Sequence, residues 1–177
     1  MNNFKIRKML RNDKTKLLNI LNKTKVFSKK ELKIAEELMD VYLKEKKQKD
    51  YFFYVMELEN KICGYVCFGP TPCTESTFDL YWIAVDPSFQ GKGIGTKLLE
   101  FSEERIKTLG GKMIIIETSS TEKYKNTRKF YLARKYRLTA IIKDFYKSRD
   151  HKMIFTKNLK YSGKKESTDG KMEKNVA

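Results

Sequence analysis

Apolar and polar positions change their period repeatedly along the chain, and the changes mark out its elements. Phe4-Lys5-Ile6-Arg7-Lys8-Met9-Leu10 alternates at first and predicts a short strand. Asp13 then stands where a helix cap would. Behind it Leu17, Leu18 and Leu21, at i, i+1 and i+4, give one apolar face suited to a helix resting on a sheet. Ser28-Lys29-Lys30-Glu31 has the spacing of a capping box, and Leu32, Ala35, Leu38, Met39 and Tyr42 form the inner stripe of the helix it opens. The run Lys44-Glu45-Lys46-Lys47-Gln48-Lys49 reads as the solvated end of that helix rather than as a nucleic-acid patch.

From Tyr51 the period shortens to that of strands. Residues 51–58 and 62–68, joined through Glu59-Asn60-Lys61, predict a hairpin, and Gly69-Pro70-Thr71-Pro72 stops its second arm. Residues 78–85 are a third apolar run, ended by Asp86-Pro87. A glycine-rich turn at 90–95 then opens a helix to about Leu109, with Ile94, Leu98, Phe101 and Ile106 inward and Gly110-Gly111 closing it. Residues 113–118 are β-branched and predict a strand buried on both faces. A helix over 124–134 and strands near 138–142 and 152–159 complete an α/β order. Residues 161–177 hold little apolar material beyond Met172 and Val176. They predict a disordered basic tail and leave 1–160 as one domain.

Composition narrows the chemistry. The 177 residues carry a formal net charge of +16, which draws polyanions and phosphorylated small molecules before any site is specified. Much of that charge sits in Lys/Asn/Ile-rich stretches of the kind AT-rich coding sequence produces, so it fits compositional drift as well as an anionic partner. A single histidine, His151, argues against a His-based metal cluster or a Ser/His/Asp relay. Cys63, Cys67 and Cys73 are odd in number and lack CxxC spacing, which argues against a disulfide framework or a zinc site and for a reducing cytoplasm. Cys63 and Cys67, at even spacing, are expected on one sheet face as small core residues. With no apolar run of about 18 residues and no apolar leader after Met1-Asn2-Asn3, the chain is expected to be soluble and unexported.

The informative segment is Ile83-Ala84-Val85-Asp86-Pro87-Ser88-Phe89-Gln90-Gly91-Lys92-Gly93-Ile94-Gly95-Thr96-Lys97, a strand end, a glycine turn and a helix start. Unpaired N–H groups at a helix N-terminus bind anions, and glycines let the backbone approach them. It is not a Walker loop, since Thr96 precedes Lys97, nor GxGxxG, since the glycines fall at 91, 93 and 95. Taken alone it is either an anion site or a tight turn that needs glycine for geometry.

Val85-Asp86-Pro87-x-x-Gln90-Gly91-x-Gly93-x-Gly95 resembles the acetyl-coenzyme A motif of the GCN5-related N-acetyltransferases, (V/I)-x-P-x-x-(Q/R)-x-x-G-x-(G/A). The likeness runs from about residue 4 to 160. It includes the hairpin with Gly64, and Thr127-Arg128-Lys129-Phe130-Tyr131 looks like the family's second signature. The resemblance implies a mixed, mostly antiparallel sheet, splayed between two parallel strands and flanked by helices on both faces. It also implies acetyl-coenzyme A as co-substrate, without a metal. Tyr124 stands where many members have Asn, with Asn126 two places off that register, and Lys135-Tyr136 replaces the usual Gly-Phe, which predicts a different helix exit.

By that resemblance Gln90, Gly91, Lys92, Gly93, Ile94, Gly95 and Thr96 cradle the phosphates. Ile83, Ala84 and Val85 offer a strand edge to the pantetheine arm, and Asn126 is a further coenzyme contact. Tyr131 is the candidate acid for the departing thiolate. Two carboxylates are candidates for the base: Asp79, which opens the splayed strand, and Glu117, which ends its neighbour and is expected to be partly desolvated and so raised in pKa. Tyr81, Asp144 and Tyr146 are candidates to line the acceptor site. The implied activity is acetyl transfer to a primary amine of a small molecule, a peptide N-terminus or a lysine, by direct attack in a ternary complex. The alternative is a basic module that binds nucleic acid or an acidic partner and keeps a vestigial or regulatory coenzyme site. No strand interleaves basic and aromatic residues, which argues against nucleic acid. No membrane association is expected, and a homodimer is left open.

Overall fold

The computed structural model describes residues 4–159, so the tail expected at 161–177 lies outside the described residues. The chain opens with strand β1 (Phe4–Lys8) and helices α1 (Lys14–Thr24) and α2 (Lys29–Lys44). Strands β2 (Phe52–Leu58), β3 (Lys61–Pro70) and β4 (Thr77–Val85) follow. Then come α3 (Ile94–Thr108), β5 (Met113–Ser119), α4 (Lys125–Leu132), β6 (Arg137–Lys147) and β7 (Asp150–Asn158). The strands form one sheet in the order β1-β2-β3-β4-β5-β7-β6, antiparallel at every seam except β4–β5.

Helices cover both faces because each carries an apolar stripe. Leu17, Ile20 and Leu21 of α1 and Ala35 and Met39 of α2 bury against Phe53, Val55, Tyr65, Cys67 and Ala84. On the other face Ile94, Leu98, Leu99 and Ile106 of α3 and Tyr131 of α4 pack with Met56, Val66, Phe68, Ile114, Ile116 and Phe155. Burying such a side chain contributes about 1.5–3 kcal/mol. Truncating the fully buried Leu98 to Ala costs about 2–5 kcal/mol.

The Ser28–Glu31 capping box forms as expected: Glu31 N–H donates to Ser28 Oγ at 3.3 Å and Ser28 N–H to Glu31 Oε2 at 2.7 Å. Asp13 does not cap α1 with its side chain. Its carboxylate instead accepts from Arg7 at 2.6 and 3.1 Å and from Leu10 N–H at 2.7 Å, while Arg7 also reaches Glu57. A two-pronged guanidinium contact outcompetes a single N–H donor at the helix start.

Two β-bulges set which residues face which layer. Met56 pairs with Gly64 and Glu57 with Ile62, so Cys63 is an extra residue in β3. The inserted residue shifts the alternation, and Cys63 joins the α3/α4 layer while Cys67 joins the α1/α2 layer, so the two do not share a face. In β4, Cys67 pairs with Trp82 but Phe68 with Leu80, so Tyr81 is extra and both Tyr81 and Trp82 turn toward the α1/α2 layer. The strand β5 is not buried on both faces. Ile114, Ile116 and Thr118 are buried, whereas Met113 and Ile115 are half-buried and Glu117 is exposed, because the α1/α2 layer ends over β4.

The end of α4 closes without a glycine. Lys135 takes a left-handed φ of +66°, and Tyr136 N–H donates back to Tyr131 C=O at 3.2 Å. This is the closure that a glycine usually provides at a helix end, made here by a lysine. At the far edge, β6 is exposed along its length, with Leu138, Ile141, Ile142 and Phe145 in solvent.

Candidate active site

The parallel seam between β4 and β5 is short. Only Thr77↔Met113, Phe78↔Ile114 and Asp79↔Ile115 pair, and the strands then part where the Tyr81 bulge bends β4. Residues 80–85 of β4, including Ile83, Ala84 and Val85, keep β3 as partner on one side. On the other side they present backbone N–H and C=O groups to the gap.

The glycine turn lies at the end of that free edge. Asp86 accepts from Ser88 N–H at 3.0 Å, from Ser88 Oγ at 2.7 Å and from Lys23 at 2.9 Å, which fixes the bend leaving β4. Gly91 and Gly93 have φ of +76° and +75°, and a Cβ at either would meet nothing within 4 Å. The turn is therefore a left-handed backbone under open space, with Gln90 and Lys92 exposed on it. Ile94 is buried and anchors α3, whose first turn leaves N–H groups without helical acceptors and carries a partial positive charge. Gly95 lies against the Phe130 ring, 3.4 Å from where its Cβ would be, and Thr96 Oγ1 accepts from Arg134 Nη2.

The three candidates for proton transfer sit on the two sides of the gap. Asp79 is the last paired residue of β4, is half-buried, and accepts from Thr71 Oγ1 at 2.8 Å. Burial raises its pKa, Thr71 opposes the rise, and Glu117 adds to it. Glu117 lies two residues past the last pair on β5, so the fold brings the two carboxylates together. Glu117 is not desolvated as expected: its side chain is 45% exposed and pairs with Lys152 at 2.7 Å. Tyr131 is buried on the opposite, α3/α4 face against Phe130, Tyr136 and Phe155. Its hydroxyl makes no hydrogen bond among the described residues, and burial pushes its pKa up.

Of the acceptor-side candidates, Tyr81 is half-buried near Asp79, and burial and then Asp79 raise its pKa. Tyr146 is half-exposed, pushed up to about 12 by burial and by Glu117, Asp150 and Glu31. Asp144 is spent within its own hairpin, accepting from Arg149 N–H at 2.6 Å and donating its N–H to His151 Nδ1 at 2.9 Å. Asn126 is exposed near the start of α4. Tyr124, at the register of the expected Asn, donates to Glu31 Oε1 at 2.7 Å and ties the start of α4 to the start of α2.

Sequence reasoning missed Thr118 and Arg134. Thr118 Oγ1 is buried without a partner on β5 beyond the last β4 pair, on the face of Ile114 and Ile116. Alternation from those two isoleucines was the available signal. An open cradle of N–H groups, a free strand edge and an orphaned hydroxyl together fit a ligand with phosphates at one end and amides along its length. Among the described residues no group of three His, Cys, Asp or Glu could hold a metal ion, and no helix is long and apolar enough to cross a membrane.

The profile of the Acetyltransferase (GNAT) family matches residues 15–136. An amino-acid acetyltransferase of Pseudomonas aeruginosa is 30% identical over 107 residues, 60% of this chain and 24% of the relative, so the match spans about a quarter of that protein. Among solved structures, a Desulfovibrio desulfuricans protein assigned as an acetyltransferase of the GNAT family superposes with a TM-score of 0.86 at 34% identity, covering 89% of this chain and 100% of that one. An aminoglycoside 6'-N-acetyltransferase complexed with coenzyme A shares the fold, with a TM-score of 0.70 at 16% identity over 90% of this chain and 99% of that one.

Proposed function

The chain belongs to the GNAT acetyltransferase family, and from that premise we propose that it moves an acetyl group from acetyl-coenzyme A to a primary amine by direct attack in a ternary complex. The observation that carries the reading is the gap past the three-pair seam, with the glycine cradle at its end and proton-transfer candidates on its two faces. Acetyl-coenzyme A supplies an acetyl thioester there. The cradle of 90–96 holds phosphate through backbone N–H groups, and the free edge at 83–85 pairs with the amides of the arm. An N–H of that edge polarises the thioester carbonyl.

Asp79 takes the proton of the incoming ammonium. Its desolvation raises its basicity, while Glu117 is held by Lys152. Tyr131, on the opposite face, hands its hydroxyl proton to the departing sulfur. Burial keeps that phenol protonated at neutral pH. The reading applies to residues 1–160 taken as one domain, and its three thiols, unpaired in the structure, suit a reducing cytoplasm.

The test is release of thiol from acetyl-coenzyme A with polyamines, amino acids, aminoglycosides and short peptides offered in turn. Acceptor-dependent release with any of them supports the proposal. Tight binding of the coenzyme with no release across the panel, together with strongly salt-dependent nucleic-acid binding, would favour a binding module instead.

A further inference from the structure

We propose that Arg134 is a phosphate-binding residue of the coenzyme site, supplied by the end of α4 rather than by the glycine turn; this rests on the coenzyme reading above. Among the described residues, several of the partly buried cations are neutralised by carboxylates, while Arg105 and Arg128 donate to neutral oxygens. Arg7 has Asp13 and Glu57, Lys14 has Glu36 and Asp40, Lys152 has Glu117, and Lys157 has Glu103. Arg134 has no carboxylate among the described residues. Its Nη1 donates to Phe130 C=O at 3.0 Å, its Nη2 donates to Thr96 Oγ1, and its Nε is buried without a partner.

The guanidinium carbon lies over the Phe130 ring, 3.8 Å from the centroid, and that ring packs on Gly95 in the first turn of α3. A fixed cation is thereby held against a helix N-terminus that is itself positive and has no acidic residue in its first turn. Two like charges so placed favour an anion between them.

Thr96 sharpens the argument. Its oxygen already accepts from Arg134, and its own O–H donates to no group among the described residues. Arg134 therefore leaves the Thr96 hydroxyl free to act as a second donor in the first turn of α3. A diphosphate oxygen satisfies both the hydroxyl and the guanidinium.

The experiment is calorimetric binding of coenzyme A, dephospho-coenzyme A and pantetheine to the wild-type chain, Arg134→Met and Arg134→Lys, with the unliganded melting temperature of each. Without the charge-assisted hydrogen bond to the diphosphate, Arg134→Met should bind coenzyme A and dephospho-coenzyme A about 10- to 100-fold more weakly, by equal factors, with pantetheine unchanged. Arg134→Lys, which keeps the charge but not the flat two-pronged guanidinium, is expected to fall between. The unliganded Arg134→Met should melt no lower than wild type, since an uncompensated cation has gone.

Wild-type affinity in Arg134→Met would overturn the proposal, as would an equal loss for pantetheine, which would mark a structural role. A loss confined to coenzyme A would move the residue to the 3'-phosphate and overturn the diphosphate assignment. Failure of the wild-type chain to bind coenzyme A would overturn the coenzyme reading itself, and this proposal with it.

Discussion

Gly93→Ala separates backbone geometry from ligand binding, because the structure supplies a matched control in Gly110→Ala. Both glycines are left-handed, at φ +75° and +88°, and a Cβ at either meets nothing within 4 Å. Each substitution therefore carries the same local penalty, about 1–2 kcal/mol for an L side chain in that region. For a domain of this size that lowers the unliganded melting temperature by roughly 2–8 °C. The two residues flank the 15-residue helix α3, about 22 Å apart along its axis, and only Gly93 lies under the cradle. At coenzyme A a hundredfold above its dissociation constant, mass action adds about 2.7 kcal/mol, or roughly 5–11 °C. Gly110→Ala should keep that increment. In Gly93→Ala the new methyl stands where phosphate approaches the backbone, and a hundredfold loss of affinity leaves about 0.4 kcal/mol, an upward shift of only about 1–2 °C. Differential scanning fluorimetry with and without coenzyme A reads all four numbers. Equal ligand-induced shifts in the two variants would refute the placement of the phosphates.

Tyr131→Phe keeps a ring whose hydroxyl makes no hydrogen bond among the described residues, so coenzyme affinity should hold while turnover falls roughly ten- to thousandfold. Unchanged turnover would mean that water protonates the sulfur. Asp79→Asn should shift the acidic limb of the pH–rate profile to higher pH and Glu117→Gln should not; the reverse result would exchange their roles. Burial raises the folded-state pKa of Asp79, so ionising it costs stability as pH climbs past the unfolded value toward the folded one, and the cost is fully present above that. Asp79→Asn should therefore melt higher than wild type at pH 7 and lose that advantage at pH 3, and a lower melting point at pH 7 would contradict the desolvation argument. Lys135→Gly should stabilise the fold by about 0.5–1 kcal/mol in urea titration by relieving the left-handed lysine, and destabilisation would show that the side chain has a role its backbone does not reveal.

What the sequence disclosed depends on how local each signal is. The Ser28–Glu31 box, the Glu59-Asn60 turn and the strand–glycine–helix run from β4 into α3 are set by neighbouring residues, and the structure has them where the pattern put them. Both bulges escaped, because an extra residue in a strand shows itself only against its partner. Without the bulge at Cys63 the even spacing of Cys63 and Cys67 reads as one face, and without the bulge at Tyr81 nothing explains why β4 leaves β5. Asp13 misleads as a cap because its real partner, Arg7, lies on another element. Glu117 misleads as a desolvated group because its exposure depends on where the α1/α2 layer ends. Arg134 is hidden by abundance: among 38 Lys and Arg residues nothing in the local pattern marks the one that lies on Phe130.

The three-pair seam makes the sheet two lobes, β1–β4 and β5–β7, stitched along one short stretch. Those amides of residues 80–85 that point away from β3 exchange with solvent whether or not the core opens, since no strand ladder shields them. A bound ligand whose arm pairs with this edge takes the place of a missing strand and joins the lobes across the rest of their length. Slowed hydrogen exchange would then mark 80–85 first. Such a ligand would in that sense be the last strand of the sheet.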